Sequence, residues 1–391
     1  MSPKLKQYFA CIFSFCIFMY LVLYFYVLPS EVLVDEQYGH GDEDLLLQKK
    51  GLEESVILQK CSKSTDNCYV VVDRKVETDL GQMVERHMYV KGFEDESDTI
   101  VRLIPQGEKT FEASDTRMWK VDHLSIRAQY VSLFFMLFTL NNIHFAHLSN
   151  AHNPPIFFIF FLCVYLCIAA LISAPFIVSA LSLVESDNDG KTILEIGLGG
   201  GSLDMFLHQL NPKLNITAVE LDPVVVDIAR EWFNVGEDRT RRTIVADGLE
   251  FVKRAEKKGE KITHLVCDKY DVVFLDACDS SVTIPCPSKL FRTPEIYNTF
   301  SEIVKSTGAL IVNILSQDEE SPEAMQIVED LSQHFGSCLK ISITEEVNVI
   351  AVCTKQAISD SPGNIEFLRR RAHAVTMQLG LQDVLKTIKM N

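Results

Sequence analysis

The sequence predicts an α/β protein: a largely parallel sheet with helices on both faces, closed by an antiparallel hairpin and preceded by a small β domain. Three observations predict it. From Lys191 onward, short apolar runs alternate with amphipathic segments in a strand–turn–helix rhythm, the pattern of a doubly wound sheet. Four glycines gather at the first strand-to-helix turn, Gly197-Leu198-Gly199-Gly200-Gly201, where a backbone can approach a ligand closely. Ahead of them, residues 54–123 carry short apolar–polar alternations separated by turn-forming clusters, which read as strands of a small antiparallel sheet.

Residues 8–29 hold no charged side chain and are long enough to cross a bilayer, which takes about 20 apolar residues. Lys4 and Lys6 precede this run, while Glu31, Asp35, Glu36, Glu43 and Asp44 come after it, so the basic side is expected to stay cytoplasmic. With no small-x-small site before Pro29, residues 1–30 are expected to be an uncleaved membrane anchor rather than a cleaved signal peptide. The localisation expected is therefore the membrane, single-pass, with a second pass open. Residues 31–53 are an acidic linker. Residues 54–130 form the small β domain, with strands at 55–59, 68–72, 87–90 and 99–104. A sheet of that size hardly stands alone and should pack on the domain C-terminal to it. No charge lies between Arg127 and Glu185, which makes 131–172 an apolar insertion or a second transmembrane segment.

The domain at 173–354 supplies strands at 192–196, 216–221, 243–245, 271–275 and 309–315. Helices succeed them at 202–210, 223–233, 248–258, 294–305 and 322–334. Pro223 stands in the first turn of its helix, where a missing N–H costs nothing. Two last strands, 339–344 and 347–353, are joined by Glu345-Glu346 and make the closing hairpin. Residues 355–391 read as a helical extension, with Arg369, Arg370 and Arg371 on a solvated face.

Composition narrows the function. A net charge of −16 disfavours binding to phosphate backbones, so no nucleic-acid partner is expected. An acidic surface instead favours a basic protein or a cationic small molecule. Eleven cysteines form no CxxC pair and no zinc-finger spacing. Cys61 and Cys68 bracket a polar turn and can bridge if that region faces an oxidising compartment; most of the eleven read as buried free thiols. His144, His147 and His152 cluster among apolar residues with no acid nearby, and no metal site is expected there.

Four strand ends carry the chemistry. Glu195 stands two residues before Gly197, and the glycines precede a helix whose free N–H groups point at the turn. Gly-rich turns of this kind also bind nicotinamide and flavin cofactors, but the dinucleotide spacing G-x-G-x-x-G fails here, because Ser202 occupies the last glycine's place. Glu220 ends the second strand, where a carboxylate can grip both hydroxyls of a ribose. Asp222, just before Pro223, suits a helix cap better. Ala246-Asp247-Gly248 ends the third strand, with a carboxylate for an adenine amino group and a glycine to admit the ring; Asp247 also suits a cap. Asp276 and Asp279 come after the fourth strand, at the sheet's switch point, where they can hold a substrate ammonium and take its proton. Cys278 and Cys286 are reactive thiols in principle only.

The runs ILEIGLGGGSLDMFLHQLNP, AVELDP, ADGLEFV, YDVVFLDACDS, GALIVNIL and EEVNVIAVC resemble the spermidine-synthase-like class I methyltransferases, which use S-adenosylmethionine. Among these, the chain looks most like the C-terminal domain of the two-domain methyltransferases of translation elongation factor 1-alpha. The resemblance covers 191–353, and more loosely 54–123, where ERHMYVKGF and WKVDH are similar to the family's small β domain. It implies a Rossmann-like class I methyltransferase sheet and S-adenosyl-L-methionine as cofactor. It places the cofactor's methionine part by Glu195, Gly197, Gly199 and Gly201, the ribose at Glu220, and the adenine at Asp247 and Gly248. The reacting amine falls near Asp276 and Asp279. The implied partner is a protein substrate, a translation factor being one such. The separate N-terminal methyltransferase domain of the two-domain proteins has no counterpart in these residues, so lysine methylation by that route is not implied.

Two other readings stand beside methyl transfer. Aminopropyl transfer, as in polyamine synthases, expects a GGGDGG-type motif, and Ser202 stands where that aspartate belongs. A non-catalytic membrane scaffold keeping the fold is the third. In the resembling family the small β domain and the Rossmann-like domain pack as one body. A true crossing at 156–178 would separate them, so 131–172 is expected not to be an evolved span, with a helix at 174–184 leading into the first strand.

Overall fold

A computed structural model describes residues 54–78, 81–93, 97–106, 115–125, 163–257, 269–279, 281, 283–316, 321–343, 347–381 and 385–390. Residues 47–391 belong to one compact unit. The expected anchor at 8–29 and the histidine cluster lie outside the described residues.

Five strands, β1 (Glu54–Cys61), β2 (Cys68–Thr78), β3 (Gly81–Val90), β4 (Ser97–Ile104) and β5 (Lys120–Asp122), form an antiparallel sheet in sequential order. The period of two along β2 sorts its side chains. Tyr69 and Val71 enter one core with Met88, Leu103 and Trp119, while Val70 and Val72 enter another with Tyr89. The first core also contains Met205, Val225, Val226 and Phe233, so the small sheet packs on the helices of the larger layer. The four expected strands all form, each longer than expected; β5, three residues long, is too short to leave a pattern.

The larger sheet has eight strands: β6 (Thr192–Ile196), β7 (Asn215–Glu220), β8 (Arg241–Val245), β9 (Tyr270–Leu275), β10 (Val304–Ile314), β11 (Ser337–Ile343), β12 (Val349–Thr354) and β13 (Leu385–Met390). Its order is β13-β11-β12-β10-β9-β6-β7-β8. The run from β10 to β8 is parallel, and β12, β11 and β13 add antiparallel. Strand order reverses between β6 and β9, the place where a doubly wound sheet opens a crevice. Helices α1 (Cys163–Ile177), α2 (Ser202–Leu210), α3 (Pro223–Trp232), α4 (Gly248–Lys257), α5 (Pro294–Ile303), α6 (Pro322–Ser332) and α7 (Pro362–Gln378) cover it.

Several expectations are corrected. The membrane localisation is overturned: among the described residues no helix is long and apolar enough to cross a membrane. The end of the second apolar stretch is instead α1, whose Ala169, Leu171, Ile172 and Phe176 are buried against the sheet and α7. The helix thus begins well before residue 174, and Arg371 donates from Nε and Nη2 to the Phe176 carbonyl at its C-terminal end, 3.0 and 2.8 Å away. One residue of the supposed solvated basic run is therefore a helix cap.

The C-terminal extension is not helical throughout. Gly380 takes a left-handed φ of 69°, which ends the helix, and β13 then pairs with β11. That places β13, not the hairpin, at the sheet edge.

Finally, three disulfides form: Cys61–Cys68, the pair the sequence allows to bridge, and Cys278–Cys286 and Cys338–Cys353, whose four cysteines are bridged rather than free. The first and third join residues directly opposite in adjacent antiparallel strands, where side chains share a face. Cys167 is buried and takes part in no disulfide.

Candidate active site

The site is built at the strand-order reversal. Asp276 N donates to Ile196 O and Gly197 N to Val219 O, each at 3.0 Å, stitching three strand ends together. Gly197 has φ +94°, and a Cβ there would run into the Asp276 carbonyl oxygen, so only glycine fits. Gly199 (φ 53°) and Gly201 (φ 75°) complete the turn. Gly200 N donates to Thr99 Oγ1 at 2.7 Å, which fixes the small sheet to the glycine turn.

A second tie joins the same layers. Asp222 caps α3 through Val224 N at 2.9 Å and also accepts from the hydroxyls of Ser62, Thr65 and Tyr69 at 2.9, 2.6 and 2.9 Å. Burial pushes its carboxyl up, but the hydrogen bonds from Thr65, Val224 N–H, Ser62 and Tyr69 outweigh it and hold the group below the ordinary range.

These elements enclose a cavity of about 500 Å³, within the size of small-molecule sites. Seven of the nine residues singled out from the sequence line it: Glu195, Gly197, Gly199, Glu220, Asp247, Gly248 and Asp276. Gly201 instead forms the N-terminal boundary of α2, packed against Val235. The Asp279 carboxylate is turned into its own loop, accepting from Ser281 N at 2.9 Å and Lys289 N at 2.8 Å. Burial raises its carboxyl, but the Lys289 and Ser281 N–H groups hold it below the usual range.

Glu195 is buried, and its Oε2 has no hydrogen-bond partner. Burial first, then the nearby Asp204 and Asp276 carboxyls, push it well above the ordinary carboxylate range, against the pull of Arg241. Glu220 accepts from Leu198 N at 3.0 Å and Asp222 N at 2.9 Å; burial raises it, and those two N–H groups oppose the rise. Asp247 is exposed and caps α4, accepting from Leu249 N at 2.8 Å and Glu250 N at 3.2 Å. Asp276 accepts from Asn313 Nδ2 at 2.8 Å, and Asn313 Oδ1 accepts from Asn348 Nδ2 at 2.9 Å. Burial raises the Asp276 carboxyl, and the Asn313 bond opposes this.

Sequence reasoning missed Asn313, Asn348, Thr99, Tyr69 and His123, all of which line the cavity. A signal existed for Asn313: it is a lone amide inside the apolar strand GALIVNIL, and a buried polar residue in a core strand asks for a partner. His123 is buried, and burial pushes it down to about 4, so it is neutral. The charge balance is one-sided. Asp122, Glu195, Glu220, Asp222, Asp247 and Asp276 line the cavity, with no lysine or arginine among the described lining residues.

A parallel sheet with its cavity at the reversal of strand order, extended by an antiparallel β12–β11 pair, is a Rossmann-like α/β fold with a mixed sheet. Residues 180–358 match the family described as Spermine/spermidine synthase domain. The chain is 32% identical over 163 residues to the eEF1A lysine and N-terminal methyltransferase homolog of Drosophila melanogaster, covering 42% of this chain and 23% of that protein. It is 34% identical over 126 residues to the polyamine aminopropyltransferase of Vibrio vulnificus (strain CMCP6), covering 32% and 38% respectively. The crystal structure of human methyltransferase-like protein 13 in complex with SAH aligns at 25% identity over 55% of this chain and 89% of that one, with a TM-score of 0.43. The match thus spans about a quarter of the length of the fly methyltransferase.

Proposed function

We propose that this chain is an S-adenosylmethionine-dependent methyltransferase that methylates an amine of a protein substrate. The observation that carries the reading is the cavity's charge: six acidic residues and no cationic side chain among its described lining. Both the donor, with its sulfonium and α-ammonium, and an amine acceptor are cations that such a wall attracts.

The residues fit this cofactor. Glu195 offers a buried oxygen without a partner, and Gly197 and Gly199 present bare backbone to the cavity. In this reading Glu195, Gly197 and Gly199 hold the methionine part, with Gly201 shaping the turn from behind, Glu220 holds the ribose hydroxyls, and Asp247 with Gly248 the adenine. When bound, S-adenosylmethionine supplies an electrophilic methyl group. The protein's contribution is then alignment and proton control. Asp276, with one oxygen tied to Asn313, keeps the other for the acceptor nitrogen; it draws in the ammonium and takes the proton that must leave for the nitrogen lone pair to react. A carboxyl raised by burial is a better base than an exposed one. Asp279, engaged in its loop, serves by shaping the rim. The domain division supporting this is 54–130 and 173–354 acting together, with Thr99 and Asp222 as the ties. By likeness to the fly relative, a translation factor is the class of protein acceptor.

Aminopropyl transfer is the second reading, favoured by the family match at 180–358. One experiment separates the two. The full chain is incubated with tritiated-methyl S-adenosylmethionine and cell extract, and in parallel with decarboxylated S-adenosylmethionine and putrescine. Label in a protein band, lost in Asp276→Asn although cofactor still binds, is the expected result. Spermidine without protein label would reverse the order of the two readings.

A further inference from the structure

The three disulfides differ in access. Cys338 and Cys353 are completely buried. Cys61 is exposed, but neither it nor Cys68 lines the cavity. Cys278 and Cys286 do line it, Cys278 two residues after Asp276, with Cys278 exposed and Cys286 at 2% exposure. One residue of the bridge thus faces solvent at the acceptor side and the other faces the protein. The loop between them has fixed ends independent of the bridge. Asp279 N donates to Pro285 O at 2.8 Å, Ser288 N to Ala277 O at 2.7 Å, and Leu315 N to Cys286 O at 2.9 Å.

We propose that Cys278–Cys286 is a thiol-exchange site, at which a low-mass thiol of the glutathione class modifies Cys278 and closes the acceptor side of the cavity. Exchange requires in-line access of a thiolate to one sulfur, and that access selects which sulfur is attacked. The incoming thiolate forms a bond to Cys278 Sγ. The Cys278–Cys286 bond breaks, and its electron pair leaves on Cys286, which takes a proton from water because a buried thiolate is costly. A second thiolate attacking the adduct sulfur releases the Cys278 thiolate and a low-mass disulfide. Two electrons pass from two thiols to the protein disulfide in all. With Ala277, Asp279, Pro285 and Cys286 hydrogen-bonded through their backbones, the two cysteines hold their places after the bridge opens, so the adduct stays at the cavity wall. A glutathionyl group there is bulky and anionic, and the wall is already acidic. It excludes a cationic acceptor by size and by charge, whereas the cofactor-side residues on β6, β7 and α4 are untouched. This consequence rests on the methyltransferase reading; the exchange itself does not.

The test titrates the oxidised full chain with reduced glutathione and maps each cysteine by peptide mass. Binding of S-adenosylhomocysteine by calorimetry and methyl transfer are measured on the same samples. The expected result is a glutathione adduct on Cys278 and a free thiol on Cys286 while Cys338–Cys353 stays intact. Methyl transfer falls in proportion to the adduct, and S-adenosylhomocysteine affinity does not change. An adduct on Cys286, or a Cys278–Cys286 bridge that opens only when the protein unfolds, overturns the exchange site. An adduct on Cys278 with undiminished methyl transfer overturns the closure. No methyl transfer by the oxidised protein overturns the methyltransferase reading, and the peptide map still decides the exchange. Cys286→Ser, which leaves Cys278 without its bridge, should take the adduct directly from glutathione disulfide, and Cys278→Ser should take none at the loop. If either variant fails to fold, the map of the unmodified chain decides.

Discussion

Asn313 Nδ2 donates to Asp276 Oδ1 at 2.8 Å, while Asn313 Oδ1 accepts from Asn348 Nδ2 at 2.9 Å. The direction is dictated by chemistry, because an ionised carboxylate has only acceptors, so Asn313 must turn its NH₂ toward Asp276. That bond favours the charged form of a carboxyl that burial pushes the other way. Asn313→Ala is therefore expected to raise Asp276 further. The acidic limb of the methyl-transfer pH profile, which needs Asp276 ionised, moves to higher pH. The measurement is kcat/KM against pH for both proteins; coincident acid limbs would show that Asp276 does not take the proton.

Glu195 offers a contrast between binding and stability. Its carboxyl is raised in the folded protein, by burial and by Asp204 and Asp276. A carboxyl whose folded value exceeds its unfolded one favours folding below the ordinary range of about 4.3 and counts against folding as pH rises through the folded value. Glu195→Gln should accordingly melt higher than the parent at neutral pH, with the difference vanishing in acid, and should bind cofactor more weakly. Thermal melts at the two pH values decide it. An equal or lower melting temperature at neutral pH would mean that Arg241 fully compensates the buried charge.

Asp222 behaves in the opposite sense. Held below the ordinary range by its donors, it stabilises the fold above the unfolded carboxyl value, and this is lost as pH falls through the folded value. Asp222→Ala leaves the Ser62, Thr65 and Tyr69 hydroxyls and the α3 cap without their acceptor. The expected loss is about 2–4 kcal/mol at neutral pH, shrinking in acid. Denaturant titration of the full chain checks both the size and the pH trend.

Much of the architecture was legible because it rests on local periodicity. The strand–helix alternation from Thr192 to Thr354 arises from apolar runs of strand length and helices opened by Pro223, Pro294 and Pro322. The glycine turn and the acids at strand ends were legible because their spacing is tied to that alternation. What was not legible depends on tertiary placement. Cys338 and Cys353 are fifteen residues apart in sequence and meet only through the β11–β12 register. The apolar run ending at Ile177 has the composition of a membrane helix, since a helix buried on all sides and one facing lipid both lack charge. Asp279 looked equivalent to Asp276, and only the loop's backbone decides that its oxygens face Ser281 and Lys289.

Glu220 and Asp247 each have a structural duty as well as a proposed ligand. Glu220→Ala removes the acceptor for Leu198 N and Asp222 N, and Asp247→Ala removes the α4 cap. Losing one charge-assisted hydrogen bond to the cofactor should weaken its binding by about 1–2 kcal/mol, and losing the cap should cost about 1 kcal/mol of stability. Calorimetric titration beside thermal melts separates the two effects. Unchanged affinity in both variants, with folding intact, would remove the ribose and adenine assignments.

Gly197→Ala tests the geometric core of the site. An alanine at φ +94° carries the cost of left-handed backbone, about 1–2 kcal/mol. Its Cβ would in addition meet the Asp276 carbonyl oxygen, which is backbone and cannot rotate away. Relief requires β6 and β9 to part at their carboxyl ends, where Asp276 N donates to Ile196 O at 3.0 Å. That movement displaces the cofactor turn and the proposed base together. The expected outcome is a lower melting temperature with cofactor affinity and turnover falling in the same variant, unlike Asp276→Asn, which should lower turnover alone. Gly236→Ala is the control, because a Cβ at Gly236 meets nothing within 4 Å, and it should leave both affinity and turnover as they are. If Gly197→Ala binds S-adenosylhomocysteine as the parent does, the methionine part does not lie in this turn.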